Sequence, residues 1–409
     1  MNIIVGLIGF IVFLHIIIAI ILKTTSVLLN KNSIITLITW LFFIFLSYFY
    51  NNYLFLIGPL ILLIINEFFY INFNIDVFDG PSRTQFLYNI ITTYNIKNEK
   101  QNTNLTEGMY LHDIYDNNSL MTEEEAKQLD PIKANQNKFD KLFVFLKIDP
   151  SEYKNLKILD MGCGNGDFIK YCNSLGITTS GMSISDEQVK SLKEQNLDVY
   201  LGNFHNLQPQ FIGKYDIVTF WGSLEHVTQS YPCSKSGEVK AEKEIINVMS
   251  HVKQYYNPES NYKLLFNTTL HMNKQICKNT VNIYLLERMC GGWYFYDEPR
   301  ETLSDKIESI GFKKTNQEDF TYHYYMATKI DPDHFGRPSK PCFFNIAAIF
   351  FGILINPQII GTAVTCLRGE WMWQFDNKTH FYDAECKTCT IVDRKKRPTT
   401  LLWSVNKLN

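Results

Sequence analysis

The stretch "LKILDMGCGNGDFIKYC", residues 156–172, constrains the fold of this chain more than any other: an apolar run, glycines at three alternate positions, then a helical pattern. A strand that passes into a helix through a turn stripped of side chains is the opening of a βαβ unit. The chain beyond it keeps the rhythm: "ITTSGMSI" reads as a strand, "SDEQVKSLKEQ" as a helix, and "DVYLGNF" and "YDIVTFWGS" as strands. Such alternation predicts an α/β fold, a doubly wound, Rossmann-like parallel sheet.

The glycine spacing selects the ligand class. Gly162, Gly164 and Gly166 form G-x-G-x-G preceded by Asp160. A dinucleotide fingerprint would be G-x-G-x-x-G, and a phosphate loop would end in Gly-Lys-Ser/Thr. An acid at the strand end, over a compact glycine loop, suits a ligand that carries an ammonium or sulfonium and no phosphate, which points to S-adenosylmethionine.

Charge and cysteine content exclude other classes. The 409 residues hold 39 Lys+Arg against 41 Asp+Glu, net −2, so the basic face of a nucleic-acid binder is not expected. Nine cysteines, an odd number, are scattered along the chain with one in the glycine loop, which reads as reduced thiols in a cytosol-like compartment. Cys386 and Cys389 form a lone CxxC with no second pair at zinc spacing, so no metal site is expected.

The first 75 residues differ from the rest. Residues 2–22 are nearly uninterrupted apolar positions, long enough to cross a bilayer core of about 30 Å, and their start has no Lys or Arg as a signal peptide would. Residues 34–50 and 53–73, broken at Asn51-Asn52, read as a helical hairpin, so residues 1–75 are expected to hold two or three transmembrane helices. Lys23 and Lys31 follow the first span, and the positive-inside tendency puts them, and with three spans the large polar remainder, in the cytosol. The expected organisation is a multi-pass membrane region at 1–75, a helical cap at 76–150, a catalytic core at 151–335 and an apolar, membrane-associated extension at 336–409. In that extension residues 343–360 are apolar, Trp371 and Trp373 suit an interface or a core, and Arg394 to Arg397 are a basic run.

The motifs in order resemble a family. "MTEEEAKQLD", "KFDKLFVFLKI", "LDMGCGNGDF", "GITTSGMSISDEQ", "YDIVTFWGSLEHV", "CGGW" and "HYYMAT" are similar, across roughly residues 100–330, to the cyclopropane-fatty-acid and mycolic-acid synthases, a family of class I S-adenosylmethionine-dependent methyltransferases. The resemblance implies that the three glycines hold the methionine part of the cofactor with Asp160 near its amine. It implies Ser183, Ser185 and Gln188 on the ribose and adenosine, and Asn203 with Phe204 beside adenine. It further implies methylation of a lipid acyl chain, with a bicarbonate held by a Cys, a Glu, a His and a Tyr as base. Glu225 supplies the Glu, and Tyr324 or Tyr325 the Tyr. The segment that carries the family's Cys appears as "TEGMYL" at 106–111 without one, and Asn267 stands at the place of the His. A base from His271 or His323 is then an alternative, whereas His226 reads as structural. An N- or O-methyltransferase of a lipid headgroup or small amphiphile, and a non-catalytic membrane scaffold, remain open on the sequence alone.

The topology makes a prediction. With residues 76–409 in the cytosol, the sequons at Asn104, Asn117, Asn267 and Asn377 stay unmodified in a eukaryotic host. A glycosidase-sensitive mass shift would reverse the orientation.

Overall fold

The computed structural model describes residues 106–228, 235–273, 294–296, 302–330 and 399–409, and nine single positions between 42 and 92. Most of residues 1–75 and all of 336–398 therefore lie outside the described residues, as do the expected membrane spans, Cys386, Cys389 and the basic run. Among the described residues no helix is long and apolar enough to cross a membrane.

The described residues form one eight-stranded sheet. Its strands are β1 Lys157–Met161, β2 Thr178–Ser183, β3 Val199–Leu201, β4 Ile217–Trp221, β5 Leu264–Asn273, β6 Tyr294–Tyr296, β7 Phe312–Asp319 and β8 Thr399–Leu408. They stand in the order β3-β2-β1-β4-β5-β8-β7, with β6 paired to the far end of β5. The first five are parallel, the first four of them as the alternating sequence predicts, and β8 is antiparallel to both its neighbours. The helices are α1 Glu123–Ala126, α2 Pro131–Leu146, α3 Asp167–Ser174, α4 Asp186–Glu194, α5 Lys235–Tyr255, α6 Leu303–Lys306 and α7 Thr321–Ile330.

Local chemistry sets the helix starts. Asp130 caps α2 by accepting from the Ile132 N–H at 2.9 Å, and Pro131 occupies the first turn, where its missing N–H costs nothing. Thr122 and Glu125 close a reciprocal capping box on α1. Ser185 caps α4, whose first turn carries Asp186 and Glu187 against the positive end of the helix dipole.

Two faces of the sheet are covered by different helices. Phe139, Leu142, Phe143, Phe145 and Leu146 of α2, with Phe168 and Cys172 of α3, pack on Ile158, Trp221, Phe266, Trp403 and Val405. Ile245, Val248, Met249, Val252 and Tyr255 of α5 cover Leu159, Val218, Phe220, Leu265 and Phe312 on the other face. The segment expected as a separate cap at 76–150 thus contributes α2 to the layer that closes the core.

The expected extension at 336–409 needs a correction as well. Its last strand, β8, is inserted between β5 and β7 and pairs with β5 over nine positions, from Leu264↔Lys407 to Met272↔Thr399. The sheet is therefore completed by residues far beyond 335. Trp403 is 1% exposed and meets Phe320, Phe266, Trp221 and Phe145 with ring centroids 4.3 to 5.8 Å apart. Such an alternation of apolar and polar residues reads as a strand only once its partners on both edges are known.

β5 also bears on the sequons. Asn267 lies within it, 1% exposed, so the folded protein shields that site from glycosylation whichever way the chain is oriented.

Trp403→Ala is expected to cost about 3–5 kcal/mol, the range for truncating a fully buried large aromatic. Urea unfolding followed by circular dichroism checks this. A loss under about 1 kcal/mol would mean that β8 contributes little to the core, since surface substitutions away from a core stay near that size.

Candidate active site

The carboxyl edge of β1, β2 and β4 opens into a cleft of about 950 Å³, its mouth included. β1 ends at Asp160 and Met161, and the chain then turns back across the edge through glycines that all have positive φ, 86°, 53° and 77° at Gly162, Gly164 and Gly166. At Gly162 a side chain could not fit, because a Cβ would lie 2.5 Å from the Cβ of Ser223. Ser223 in turn donates to the Met161 carbonyl at 2.6 Å, joining the loop after β1 to the loop after β4.

Seven of the nine residues expected to hold the cofactor line this cleft: Asp160, Gly162, Gly164, Ser183, Gln188, Asn203 and Phe204. The other two support it from behind. Gly166 stands at the N-cap of α3 with a left-handed backbone, and a Cβ there would meet the Leu192 side chain at 2.7 Å. Ser185 accepts from the Gln188 N–H at 3.1 Å, fixing the helix that carries Gln188.

Each lining polar group has a defined role. Asp160 is 2% exposed and accepts from the Thr219 hydroxyl at 3.0 Å. Burial pushes its carboxyl up to about 7, against the opposing pull of Thr219 and of the Lys138 charge. A cationic ligand group would reverse that shift. Ser183 donates to Gln188 Oε1 at 2.6 Å, which orients the amide so that its buried Nε2 has no hydrogen-bond partner among the described residues. The Trp221 Nε1–H is a second buried donor in the cleft wall without one. Unpaired buried donors cost about 1–3 kcal/mol each, so a cleft holding two is built to receive acceptors. Asn203 accepts from the His205 N–H at 3.0 Å, and Phe204 stands edge-on to Phe220 at 5.5 Å.

These residues fit S-adenosylmethionine. Asp160 lies where the ligand's amine would go, the glycines give room for its methionine part, and Gln188 and Asn203 can meet ribose and adenine. When bound, that cofactor supplies an electrophilic methyl group on a sulfonium. Cys163 lines the same loop, but burial and the Asp160 charge push its thiol well up, so it stays protonated. Among the described residues no group of three or more His, Cys, Asp or Glu could hold a metal.

The residues expected to do chemistry are more dispersed. Glu225 lies in the 3-10 turn Leu224–Thr228 directly after β4, and its side chain is outside the described residues, as is that of Tyr325. Tyr324 packs against the α2 core cluster and does not line the cleft. Asn267 shares the β5 face of Leu265 and looks toward α5, the opposite side of the sheet from Trp221. His271 has both nitrogens engaged, Nδ1 with the Thr269 carbonyl at 3.0 Å and Nε2 accepting from the Leu303 N–H at 3.1 Å. His323 is buried, its imidazole pushed down to about 3 by desolvation, and Nδ1 accepts from the Tyr110 N–H.

Sequence reasoning missed Tyr88, Thr106, Phe139, Phe168, Trp221 and His226 as cleft residues. Phe139, Phe168 and Trp221 form a triangle with centroids 5.3 to 5.5 Å apart. They come from α2, α3 and β4, and no local pattern joins them.

A family model described as a methyltransferase domain matches residues 130–315. No curated protein sequence matches the chain significantly. Similar solved structures include the [4+2]-cyclase SpnF, at 14% identity and TM-score 0.48 over 81% of this chain and 97% of that one. Geranyl diphosphate C-methyltransferase from Streptomyces coelicolor A3(2) aligns at 10% identity and TM-score 0.47 over 81% and 98%. A cyclopropane synthase from Mycobacterium tuberculosis aligns at 14% identity and TM-score 0.45 over 75% and 99%.

Asp160 makes cofactor binding depend on pH. In the cofactor-free protein its pKa of about 7 stands above the ordinary 3.8, so its contribution to stability falls as pH rises from about 4 to 7. A ligand ammonium needs the carboxylate, so affinity for S-adenosylhomocysteine should rise by up to about tenfold per pH unit below 7, then fall as the ligand amine (pKa about 8) loses its charge. Calorimetry in buffers of different ionisation enthalpy would register the released proton, and Asp160→Asn should abolish the rising limb. A flat profile in the wild type would remove Asp160 from the ligand's amine. Gly164→Val should abolish binding and, with a β-branched residue at φ 53°, also cost stability, as should Gly166→Ala, by about 1–2 kcal/mol through its left-handed backbone.

The matched domain at 130–315, together with a cleft that fits the cofactor, makes this protein an enzyme, an S-adenosylmethionine-dependent methyltransferase with a class I fold.

Proposed function

We propose that the protein is a membrane-anchored methyltransferase that acts on a lipid acyl chain, at a carbon or double bond, in the manner of the cyclopropane-fatty-acid synthases. The observation that carries this reading is the aromatic triangle of Phe139, Phe168 and Trp221. These rings wall the cleft beside the glycine loop, where a methyl acceptor would meet the sulfonium. Hydrocarbon gains by leaving water for such a surface. Support also comes from the order of motifs in residues 100–330 and from the apolar segments at 2–22, 34–50 and 53–73, which would hold the cleft close to a bilayer.

Glu225 retains the place that the resemblance gives to the anion-holding carboxylate, at the carboxyl end of β4. A complete bicarbonate cage has less support, since Tyr324 and Asn267 are both away from the cleft. The proton released on ring closure or rearrangement would then go to a group of this chain.

Lipid mass spectrometry of cells expressing the protein tests the reading. We expect a gain of one CH2 per product, fragmenting with the acyl chain. A gain located on the headgroup would replace the acyl-chain reading with headgroup methylation. Glu225→Gln should keep affinity for S-adenosylhomocysteine and lose about 10²-fold or more in turnover. Wild-type turnover in that variant would take the synthase-like mechanism away from this chain.

A further inference from the structure

Among the titratable side chains that line the cleft, Asp160 is the one that fits the cofactor amine, Cys163 is a protonated thiol, and Asp167 and His205 follow the glycine loop and Phe204. His226 remains. It follows Glu225 in the 3-10 turn after β4, and its wall of the cleft includes Trp221, Gly222 and Ser223, the side where the acyl-chain reading places the acceptor.

His226 is not held by its own turn alone. Its Nε2 is 3.0 Å from the Tyr88 hydroxyl, and the two rings meet edge to face at 5.7 Å. Tyr88 belongs to a helical face with Gln85 and Asn89, and that face is fastened across the cleft. Gln85 and Asn89 donate to Asp186 Oδ1 at 3.2 and 2.7 Å, and Asn89 Oδ1 accepts from the Ser185 hydroxyl at 2.6 Å. One helix face therefore grips the start of α4 at one lip and His226 at the other. A surface histidine kept only for packing needs no such arrangement, and an imidazole partnered by a phenol is oriented as proton acceptors are.

We propose that His226, oriented by Tyr88, is the catalytic residue that takes the proton released by the methylated acceptor. The inference rests on the acyl-chain reading and deepens it. As the acceptor carbon bonds the methyl, the carbon–sulfur bond breaks and its electron pair stays on sulfur. The acceptor is left with positive charge on carbon and gives up one C–H proton, whose electron pair closes the ring or a double bond. The imidazole accepts that proton and returns it to water, so S-adenosylhomocysteine and the alkylated lipid leave with charge balanced. The bicarbonate of the resembling family is then unnecessary.

The test uses the full-length protein in lipid vesicles with methyl-labelled S-adenosylmethionine, and three readouts. His226→Gln should lower kcat by about 10²–10⁴-fold with KM and S-adenosylhomocysteine affinity within about twofold of wild type. Tyr88→Phe should lose about tenfold, and it should move the acidic limb of the pH–rate profile, because the phenol contacts the titrating ring. In the absence of substrate, Tyr88→Phe should shift the His226 imidazole signals in NMR, since the phenol contacts that ring. The profile must be compared with Asp160→Asn, since Asp160, Cys163, Asp167 and His205 also line the cleft and Glu225 precedes His226 in the chain. His226→Gln turnover within about threefold of wild type overturns the proposal, since a lost general base costs far more. So do His226 signals that Tyr88→Phe leaves unmoved, whether or not lipid is labelled. A wild type that labels only headgroups overturns the acyl-chain reading instead, and the His226→Gln comparison made on that product still decides whether this imidazole takes the proton.

Discussion

Everything at the cleft depends on how closely the backbone after β1 approaches the backbone after β4. At Gly162 the two loops leave no space for a Cβ, and the Ser223 hydroxyl bonds the Met161 carbonyl across the gap. That contact locks the glycine loop, which lines the cleft, to the turn that carries Glu225 and His226. The two lips of the cleft are therefore held in one register. Holding reactants in such a geometry is where much of a methyl transfer's rate acceleration originates.

Beneath the cleft lies a buried lysine whose desolvation has to be offset. Lys138 is 0% exposed, donates to Thr106 Oγ1 and Asn135 Oδ1, and sits 4.9 and 5.4 Å from the ring centres of Phe139 and Trp221. Burial pushes its ammonium down to about 8, opposed by Glu107, Asp167 and Asp160, while burial also raises Glu107. The hydrogen bond from Lys138 to Thr106 ties the 106–111 segment to α2, and so it anchors one wall of the cleft to the aromatic core.

The two walls differ in chemistry because they come from different parts of the fold. The cofactor wall is made by strand ends and the loops and helix starts that follow them: Asp160 and Ser183 lie at the ends of β1 and β2, and Gln188 in the first turn of α4. The aromatic wall is assembled from α2, α3 and β4, and it continues into the stack of Trp221 on Phe266 and Trp403. A change at Trp403, far along the chain, therefore reaches the cleft through packed rings.

The cofactor loop was legible in the sequence because its determinants are local. A strand, an acid, alternate glycines and a helix occupy adjacent positions, and backbone geometry leaves such a run few other conformations; the alternation after it likewise forecast the parallel strands β1 to β4. Other features depend on contacts between distant segments. β8 completes the sheet from residues 399–408, and its place between β5 and β7 is fixed by pairing on both edges. His226, read from its neighbours, is an ordinary turn residue; it becomes a cleft residue because Tyr88, 138 positions earlier, is brought to it. Tyr324, in a suggestive motif, is turned into the core by α7. The sequence alone determined the fold class and the ligand that fits the first loop. Which side chains meet across the cleft was decided by tertiary packing, since proximity across a sheet edge leaves no trace in the local order of residues.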